Sequence, residues 1–515
     1  MAVISVSNLS FAYPDCRECL EGVSFDVASG EFVLLCGATG SGKTTLLKLL
    51  KREISPFGRL TGSIKLFGKD ISELSPHEAV SKIGYVCQDA EAQTVTDKVW
   101  HELSFGLEGL GLSQTEMHKR VGEMATYFGI EKYLYADTDT LSGGQKQLLA
   151  LASVMVMNPD VLLLDEPISQ LDPIAAGEFT DALVRVNNDF GVTVVISEHR
   201  TDALFALCDK VLLLDGGRLT VTIPQEVSKL MHSRYLPTPM RIAAELGFGK
   251  PSLSVKDCRA ELQNRYEPTS LPHSAEATGQ AVLTAKDIYY RYTKNGADVL
   301  SGASLTLYKS ECFCLVGGNG HGKTTLLKVL CGLSKPLRGK VKTESKIAML
   351  PQNVSDVFVY QTIGADLEAI SKDCKDAVKL MGVGDLLSRH PSDLSGGERQ
   401  KCAIAKLLLT EPEILLLDEP TKGLDADAKY ALRDIISTLK SRGITVMLVT
   451  HDLDFAASVA DRCAMLFDGT ITNPVTPSEF FATSRYYTTT AARISRGIFD
   501  GAITAQEIIS AGKKQ

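Results

Sequence analysis

The feature that most constrains this chain is that it repeats itself. Gly37-Ala-Thr-Gly40-Ser-Gly42-Lys43-Thr44-Thr45 returns as Gly317-Gly-Asn-Gly320-His-Gly322-Lys323-Thr324-Thr325. Leu141-Ser142-Gly143-Gly144-Gln145 returns as Leu394-Ser395-Gly396-Gly397-Glu398, and Val161-Leu-Leu-Leu-Asp165-Glu166-Pro167 as Ile414-Leu-Leu-Leu-Asp418-Glu419-Pro420. One short motif can arise by chance, but the same ordered set twice marks duplication of a whole domain. At 515 residues the chain is too long for one core and suits two domains of about 200–250 residues plus a linker.

The intervals between matching residues are not uniform. Lys323 follows Lys43 by 280 positions, Gln352 follows Gln88 by 264, and Asp418 follows Asp165 by 253. The second copy has therefore lost residues both before and after its glutamine, so the copies share a core and differ at the periphery. The boundaries read as a first domain over 1–236, a linker over 237–281 and a second domain with a C-terminal tail over 282–515. Pro237, Pro239, Pro251, Pro268 and Pro272 give residues 237–281 linker chemistry, within which Met240–Leu246 suits a short docking helix.

Each copy alternates strand, loop and helix. Phe32–Cys36, Val161–Leu164 and Thr193–Ser197 are short β-branched or leucine-rich runs, as are Cys312–Val316, Ile414–Leu417 and Thr445–Val449. Such uninterrupted apolar runs belong to buried parallel strands, so the fold class is α/β with a mostly parallel sheet. The composition is that of a soluble globular protein: 44% hydrophobic and 23% charged, with mean hydropathy +0.04. A net charge of −8 argues against a nucleic-acid binder, which usually carries a basic face. No apolar run reaches the roughly 18 residues of a membrane span, and Met-Ala-Val-Ile-Ser-Val lacks the plan of a secretion signal. A cytoplasmic protein is expected, with any membrane role coming through a partner. The twelve cysteines are scattered; Cys16 and Cys19 have metal-ligand spacing, but no second pair or nearby histidine supports zinc.

In both copies a Gly-x4-Gly-Lys-Thr loop follows an apolar strand and opens a helix, the context of a phosphate-binding P-loop. Gly37, Gly40 and Gly42, like Gly317, Gly320 and Gly322, let backbone N–H groups curl around phosphate oxygens, and the helix N-terminus adds its dipole. Lys43 and Lys323 are expected to reach the β- and γ-phosphates of ATP, with Thr44 and Thr324 offering a hydroxyl to Mg²⁺ and Thr45 and Thr325 following in the loop. Asp165 and Asp418 end a buried strand, where a carboxylate can hold Mg²⁺. Glu166 and Glu419 stand next and can polarise an attacking water as general bases. In Leu-Ser-Gly-Gly, a hydroxyl and bare backbone donors meet at a helix start, more than an N-cap alone requires.

That last string resembles the signature motif of ATP-binding-cassette (ABC) proteins, and the resemblance covers almost the entire chain. It implies two P-loop cassettes, each with a mostly parallel sheet, a small antiparallel β subdomain and a helical signature subdomain. Ser142, Gly143 and Gly144 would contact the γ-phosphate held by Lys323, and Ser395, Gly396 and Gly397 the one held by Lys43, so the cassettes pair head to tail within one chain. Tyr13 and Tyr292 match the aromatic that stacks on adenine, although either suits a half-buried strand. Gln88 and Gln352 match the Q-loop glutamine near Mg²⁺ and water, Asp172 and Asp425 the D-loop, and His199 and His451 the switch histidine.

Within that family, Ile83-Gly-Tyr-Val-Cys-Gln88-Asp-Ala-Glu-Ala-Gln93, Val99-Trp-His-Glu102-Leu-Ser-Phe-Gly106, Ser169-Gln-Leu-Asp172 and Ser197-Glu-His-Arg200 resemble the ATPases of energy-coupling-factor (ECF) transporters. The tail, Tyr486-Tyr-Thr-Thr with Ala491-Ala-Arg-Ile-Ser-Arg496, is similar to that of the fused members. The second copy departs from the pattern, with no glutamine in place of Gln93, and Trp100 suits either core or a partner groove. The resemblance implies an ATPase (ATP and water to ADP and phosphate) on the cytoplasmic face of the membrane. There it would pair with a transmembrane scaffold subunit and a substrate-capturing membrane subunit that imports a vitamin, metal ion or similar micronutrient, and no nucleic acid is expected. A soluble tandem cassette acting on ribosomes or DNA and a sugar-importer ATPase are the alternatives. The linker, neither long nor strongly charged, and the ECF-like segments argue against them.

Overall fold

A computed structural model describes residues 2–14, 17–199, 202, 204–271, 279–294 and 296–514. The chain forms two compact units, Met1–Met240 with Gly249–Ser254, and Arg241–Phe248 with Val255–Gln515. Cys16, Arg200 and Pro272 lie outside the described residues.

Among the described residues, the first unit is built on a six-stranded sheet in the order 218–222, 210–215, 32–36, 193–197, 161–165, 83–86. All its neighbours are parallel except the edge strand Arg218–Thr222. Every residue of Phe32–Cys36, Val161–Asp165 and Thr193–Ser197 is buried. The pleat divides them: Phe32, Leu34 and Cys36 join one apolar cluster, and Val33 and Leu35 the cluster on the opposite face. Burying each such side chain on both faces is worth about 1.5–3 kcal/mol, which is why these runs do not alternate with polar residues. The second unit repeats the plan in the order 347–350, 414–418, 445–449, 312–316, 462–467, 470–471. Cys312, Cys314 and Val316 point to one face, and Phe313 and Leu315 to the other.

An antiparallel sheet accompanies each core, from Ala2–Ala12, Glu18–Ala28, Arg59–Leu66 and Lys69–Asp70 in the first unit and Ala281–Tyr290, Leu300–Tyr308 and Arg338–Thr343 in the second. The unequal intervals now have a physical location. In the first unit a short strand and the helix Pro76–Lys82 intervene between Leu66 and Ile83, whereas Thr343 runs almost directly into Ile347. After the glutamine, helices of 11 and 15 residues, Val99–Gly109 and Gln114–Phe128, correspond to helices of 6 and 7, Ile363–Glu368 and Lys375–Met381. The helices that open at the Ser-Gly-Gly strings, Gly143–Met155 and Gly396–Leu408, keep the same 13 residues.

Where the proline-bearing stretch reads as linker, the structure has helices Thr238–Glu245 and Val255–Arg265. Ile242, Cys258 and Leu262 from them are buried with Ala491, Ile494, Ile498, Phe499, Ile508 and Ile509 from the tail. Thr269–Ser270 pairs in parallel with Phe499–Asp500, and Arg241 donates to the Tyr430 hydroxyl at 3.0 Å and the Gln506 carbonyl at 3.3 Å. Apolar positions four apart, Cys258 and Leu262, carry the helix period that the prolines obscure. No described helix is long and apolar enough to cross a membrane.

Phe499 is fully buried in this appended cluster. Phe499→Ala is expected to cost about 3–5 kcal/mol. Amide hydrogen exchange should show protection lost in 255–265 and 490–512 and retained in the sheet strands of residues 32–215.

Candidate functional site

The polar residues of each unit gather where the buried parallel strands end. The P-loop leaves Phe32–Cys36 and enters the helix Lys43–Leu49, and its counterpart leaves Cys312–Val316 and enters Lys323–Leu330. A Cβ on Gly37 would stand 2.3 Å from the Leu214 carbonyl oxygen, and one on Gly317 would stand 2.5 Å from that of Leu466. Backbone therefore passes backbone too closely there for any other residue. Lys43 Nζ donates to the carbonyls of Gly37 at 2.9 Å and Ala38 at 3.0 Å. Lys323 does the same to Gly317 at 3.0 Å and Gly318 at 2.9 Å. Each ammonium is buried and curls its own loop into a cradle.

Glu166 and Glu419 follow the strand that ends in aspartate, and both adopt left-handed backbone, φ 47° and 50°. For a non-glycine residue this is a strained conformation of the kind held at functional sites. It is fixed by Glu166 N–H donating to the Ser197 carbonyl at 3.0 Å and Glu419 N–H to that of Val449 at 2.8 Å. The turn brings each carboxylate to 4.0 Å from its P-loop lysine. His199 Nε2 lies 2.8 Å from Glu166 Oε1 and 3.4 Å from the Lys43 ammonium. Burial alone would raise the Glu166 pKa, but the His199 hydrogen bond and charge, with Lys43, carry it below the usual carboxylate range. Glu419 behaves alike: burial pushes up, while His451 and Lys323 prevail and lower it. His451 uses its other nitrogen, with Nδ1 2.7 Å from Glu419 Oε2, and the ring is turned so that neither nitrogen makes an aligned hydrogen bond. Gln88 Nε2 donates to Glu166 Oε2 at 3.0 Å.

Thr44 Oγ1 donates to Asp165 Oδ1 at 3.0 Å. Two residues that sequence reasoning did not single out complete this aspartate's shell: Ser197 donates to Oδ1 at 2.8 Å and Tyr85 to Oδ2 at 3.2 Å. Both sit on the strands flanking Val161–Asp165, and strand adjacency is the signal that would have found them. In the second unit the Thr324 hydroxyl lies beside Asp418. Burial raises the Asp418 pKa, with Thr324 opposing it, yet neither carboxylate oxygen has a formed hydrogen bond. A buried carboxylate without donors, next to a threonine hydroxyl and a phosphate-type cradle, fits a hard divalent cation. Among the described residues no trio of His, Cys, Asp or Glu converges to hold a metal unaided, and Mg²⁺ uses one or two protein oxygens beside substrate phosphates.

Tyr13 and Tyr292 are exposed on one face and anchored by their hydroxyls to Thr45 at 3.0 Å and Thr325 at 2.7 Å. Ser142 and Ser395 are N-caps, each in a reciprocal capping box, with Gln145 and Glu398. Gly143 and Gly396 are exposed beside them. A Cβ on Gly144 would meet Ala175 Cβ at 2.7 Å, and one on Gly397 would meet Ala428 Cβ at 3.0 Å, so these glycines let neighbouring helices approach. Asp172 and Asp425 cap those neighbouring helices. Gln93 turns inward: its carbonyl accepts from Cys87 N–H at 2.7 Å and its amide donates to the Tyr85 carbonyl at 3.2 Å. It staples the loop that carries Gln88. Trp100 is half-buried, packed on the core and on the His118 ring at 4.5 Å. Cys19 lies against Thr45 at 3.7 Å.

The family model described as "ABC transporter" matches residues 20–169 and 300–422. A protein of Bacillus thuringiensis subsp. konkukian, provisionally named an ABC transporter ATP-binding protein, is 36% identical over 99% of this chain and 98% of its own length. Among solved structures, an archaeal ribosome recycling factor, aABCE1 in complex with the stalk protein aP1, matches at 21% identity over 98% of both chains with TM-score 0.61. At that identity the likeness is one of fold. A solved cassette from Clostridium perfringens, cbiO1 of the complex cbiONQ, is 33% identical over 44% of this chain and 90% of its own, with TM-score 0.41.

Gly37→Ala and Gly317→Ala are each expected to abolish binding of a fluorescent ATP analogue at their own cassette. Gly40 has open space around its missing Cβ, so Gly40→Ala should cost only about 1–2 kcal/mol of left-handed strain in thermal unfolding.

Proposed function

The chain belongs to the ABC transporter family, as a tandem ATPase that binds ATP with Mg²⁺, and on that premise we propose that it powers an importer of the energy-coupling-factor type. The observation that carries the catalytic reading is the buried Lys–Glu–His constellation, present in both units with the glutamate on a strained turn 4.0 Å from the lysine. Lys43 and Lys323, already drawn into their loops, are the groups that grip the β- and γ-phosphates, while the P-loop glycines Gly37, Gly40, Gly42, Gly317, Gly320 and Gly322 present backbone donors. Glu166 and Glu419, kept ionised by their histidines, orient and deprotonate the attacking water. Gln88, which donates to Glu166 Oε2, and Gln352 would each help orient the water of their own site. When bound with the nucleotide, Mg²⁺ neutralises phosphate charge, and Thr44 with Asp165, or Thr324 with Asp418, are the residues placed to hold it.

In the head-to-tail arrangement of this family, Ser142–Gly144 would close on the nucleotide of Lys323 and Ser395–Gly397 on that of Lys43. Exposed helix N-termini with capped serines suit a γ-phosphate. The importer reading rests on the segments around Gln88–Gln93, Val99–Gly106, Ser169–Asp172 and Ser197–Arg200. The partners would be a transmembrane scaffold and a substrate-capturing membrane subunit, with this chain peripheral on the cytoplasmic face, and vitamins or metal ions the substrate class.

Glu166→Gln with Glu419→Gln should cut turnover by about 10²–10⁴-fold and leave ATP binding intact; unchanged hydrolysis would discard the general-base role. Ser142→Ala should impair hydrolysis at the Lys323 site and spare the Lys43 site. Purification from detergent-solubilised membranes should bring down two small apolar subunits. Recovery of ribosomes instead would move the protein to the translation-factor class.

A further inference from the structure

The two copies hold their metal-facing aspartates differently. Asp165 is paired in register with Ser197, and Asp418 with Val449. The place of Tyr85 on the outer strand, opposite Leu163, is taken by Met349, opposite Leu416. Both hydroxyls of the first copy have thus been exchanged for apolar side chains in the second. Asp165 accepts from Ser197 at 2.8 Å, Thr44 at 3.0 Å and Tyr85 at 3.2 Å. Asp418, 1% exposed, has neither of these donors: only the Thr324 hydroxyl lies beside it, and neither carboxylate oxygen makes an aligned hydrogen bond.

An acceptor stripped of water and given no donor carries its full desolvation penalty, while one with donors has had it cancelled. Donor hydroxyls also spread the carboxylate's charge, leaving a cation less to gain. A cation arriving at Asp418 therefore relieves a cost that Asp165 never had, whereas at Asp165 it competes with hydrogen bonds already made.

We propose that Tyr85 and Ser197 are positioning residues that weaken the first site's hold on the divalent cation, and that Met349 and Val449 make the second site the tighter of the two. The sites then fill in order, the Lys323 cassette before the Lys43 cassette. This rests on the assignment of Asp165 and Asp418 to the cation made above.

The test uses the full chain carrying Glu166→Gln and Glu419→Gln, with saturating ATP and Mn²⁺ as the probe, bound ion being read from the loss of the free Mn²⁺ paramagnetic resonance signal. Two classes of one ion each are expected, separated by about tenfold or more, from one buried acceptor's penalty. Asp418→Asn should remove the tighter class and Asp165→Asn the weaker. Ser197→Val with Tyr85→Phe should tighten the weaker class towards the other, and the milder Tyr85→Phe alone should move it part of the way. Val449→Ser should loosen the tighter class. One class of two equal ions, or two classes that none of the Ser197, Tyr85 and Val449 changes move, overturns the proposal. Retention of both classes in both aspartate variants would instead overturn the cation assignment itself.

Discussion

Val161–Asp165 and Thr193–Ser197 lie side by side with no residue exposed, and the chain can place charge only where such strands stop. Helices cover one face of the sheet, and the antiparallel strands with the helix Lys43–Leu49 cover the other, so a polar side chain within the strands would lose water and find no partner. At the carboxyl ends the constraint lifts. There a lysine from the loop, a glutamate on a strained turn, a histidine and an aspartate come within a few ångströms, each charge offsetting the burial of the next. Lys43, Glu166 and His199 are one electrostatic unit, and so are Lys323, Glu419 and His451. Removing one member leaves another buried and unpaired, which is the costly case for an interior charge.

Most of this was legible in the sequence because the groups that make a phosphate cradle come at fixed spacing along one strand–loop–helix. The α/β class followed from apolar runs of strand length. The doubling followed from ordered motifs. What stayed hidden involves contacts between elements distant in sequence. Tyr85 and Ser197 reach Asp165 only because their strands are its neighbours on either side. Gln93 enters the sequence reading only as part of an ECF-like motif, and its bonds to the backbone at Cys87 and Tyr85 are visible only in the fold. Within the proline-bearing linker the docking helix expected over Met240–Leu246 is present as Thr238–Glu245, whereas the helix Val255–Arg265 stayed hidden because Cys258 and Leu262 enter a core supplied by the far end of the chain.

The copies have also drifted in ways that motifs do not record. Gln145 caps its serine with an amide where Glu398 does so with a carboxylate. Glu198 accepts from Ile168 N–H at 2.7 Å, and in the second copy Thr450 and Thr421 make the same link through hydroxyls 3.1 Å apart. Asp366 holds Val359 and Tyr360 N–H and pairs with the Lys406 ammonium, whereas Glu102 holds Val95 and Thr96 N–H without a lysine. Each pair keeps a connection and changes its chemistry. Such drift keeps the fold and makes the two halves distinguishable to anything that binds only one of them.

The core that residues 241–248 and 255–265 share with 491–511 limits where this chain can be cut. The protein is not two finished cassettes laid end to end, because the later one borrows helices encoded upstream of its own first strand at Ala281. A chain begun at that strand would bare Ile494, Phe499 and Ile508 to water and invite clumping. Separation into two subunits would have to carry the borrowed helices with the second half.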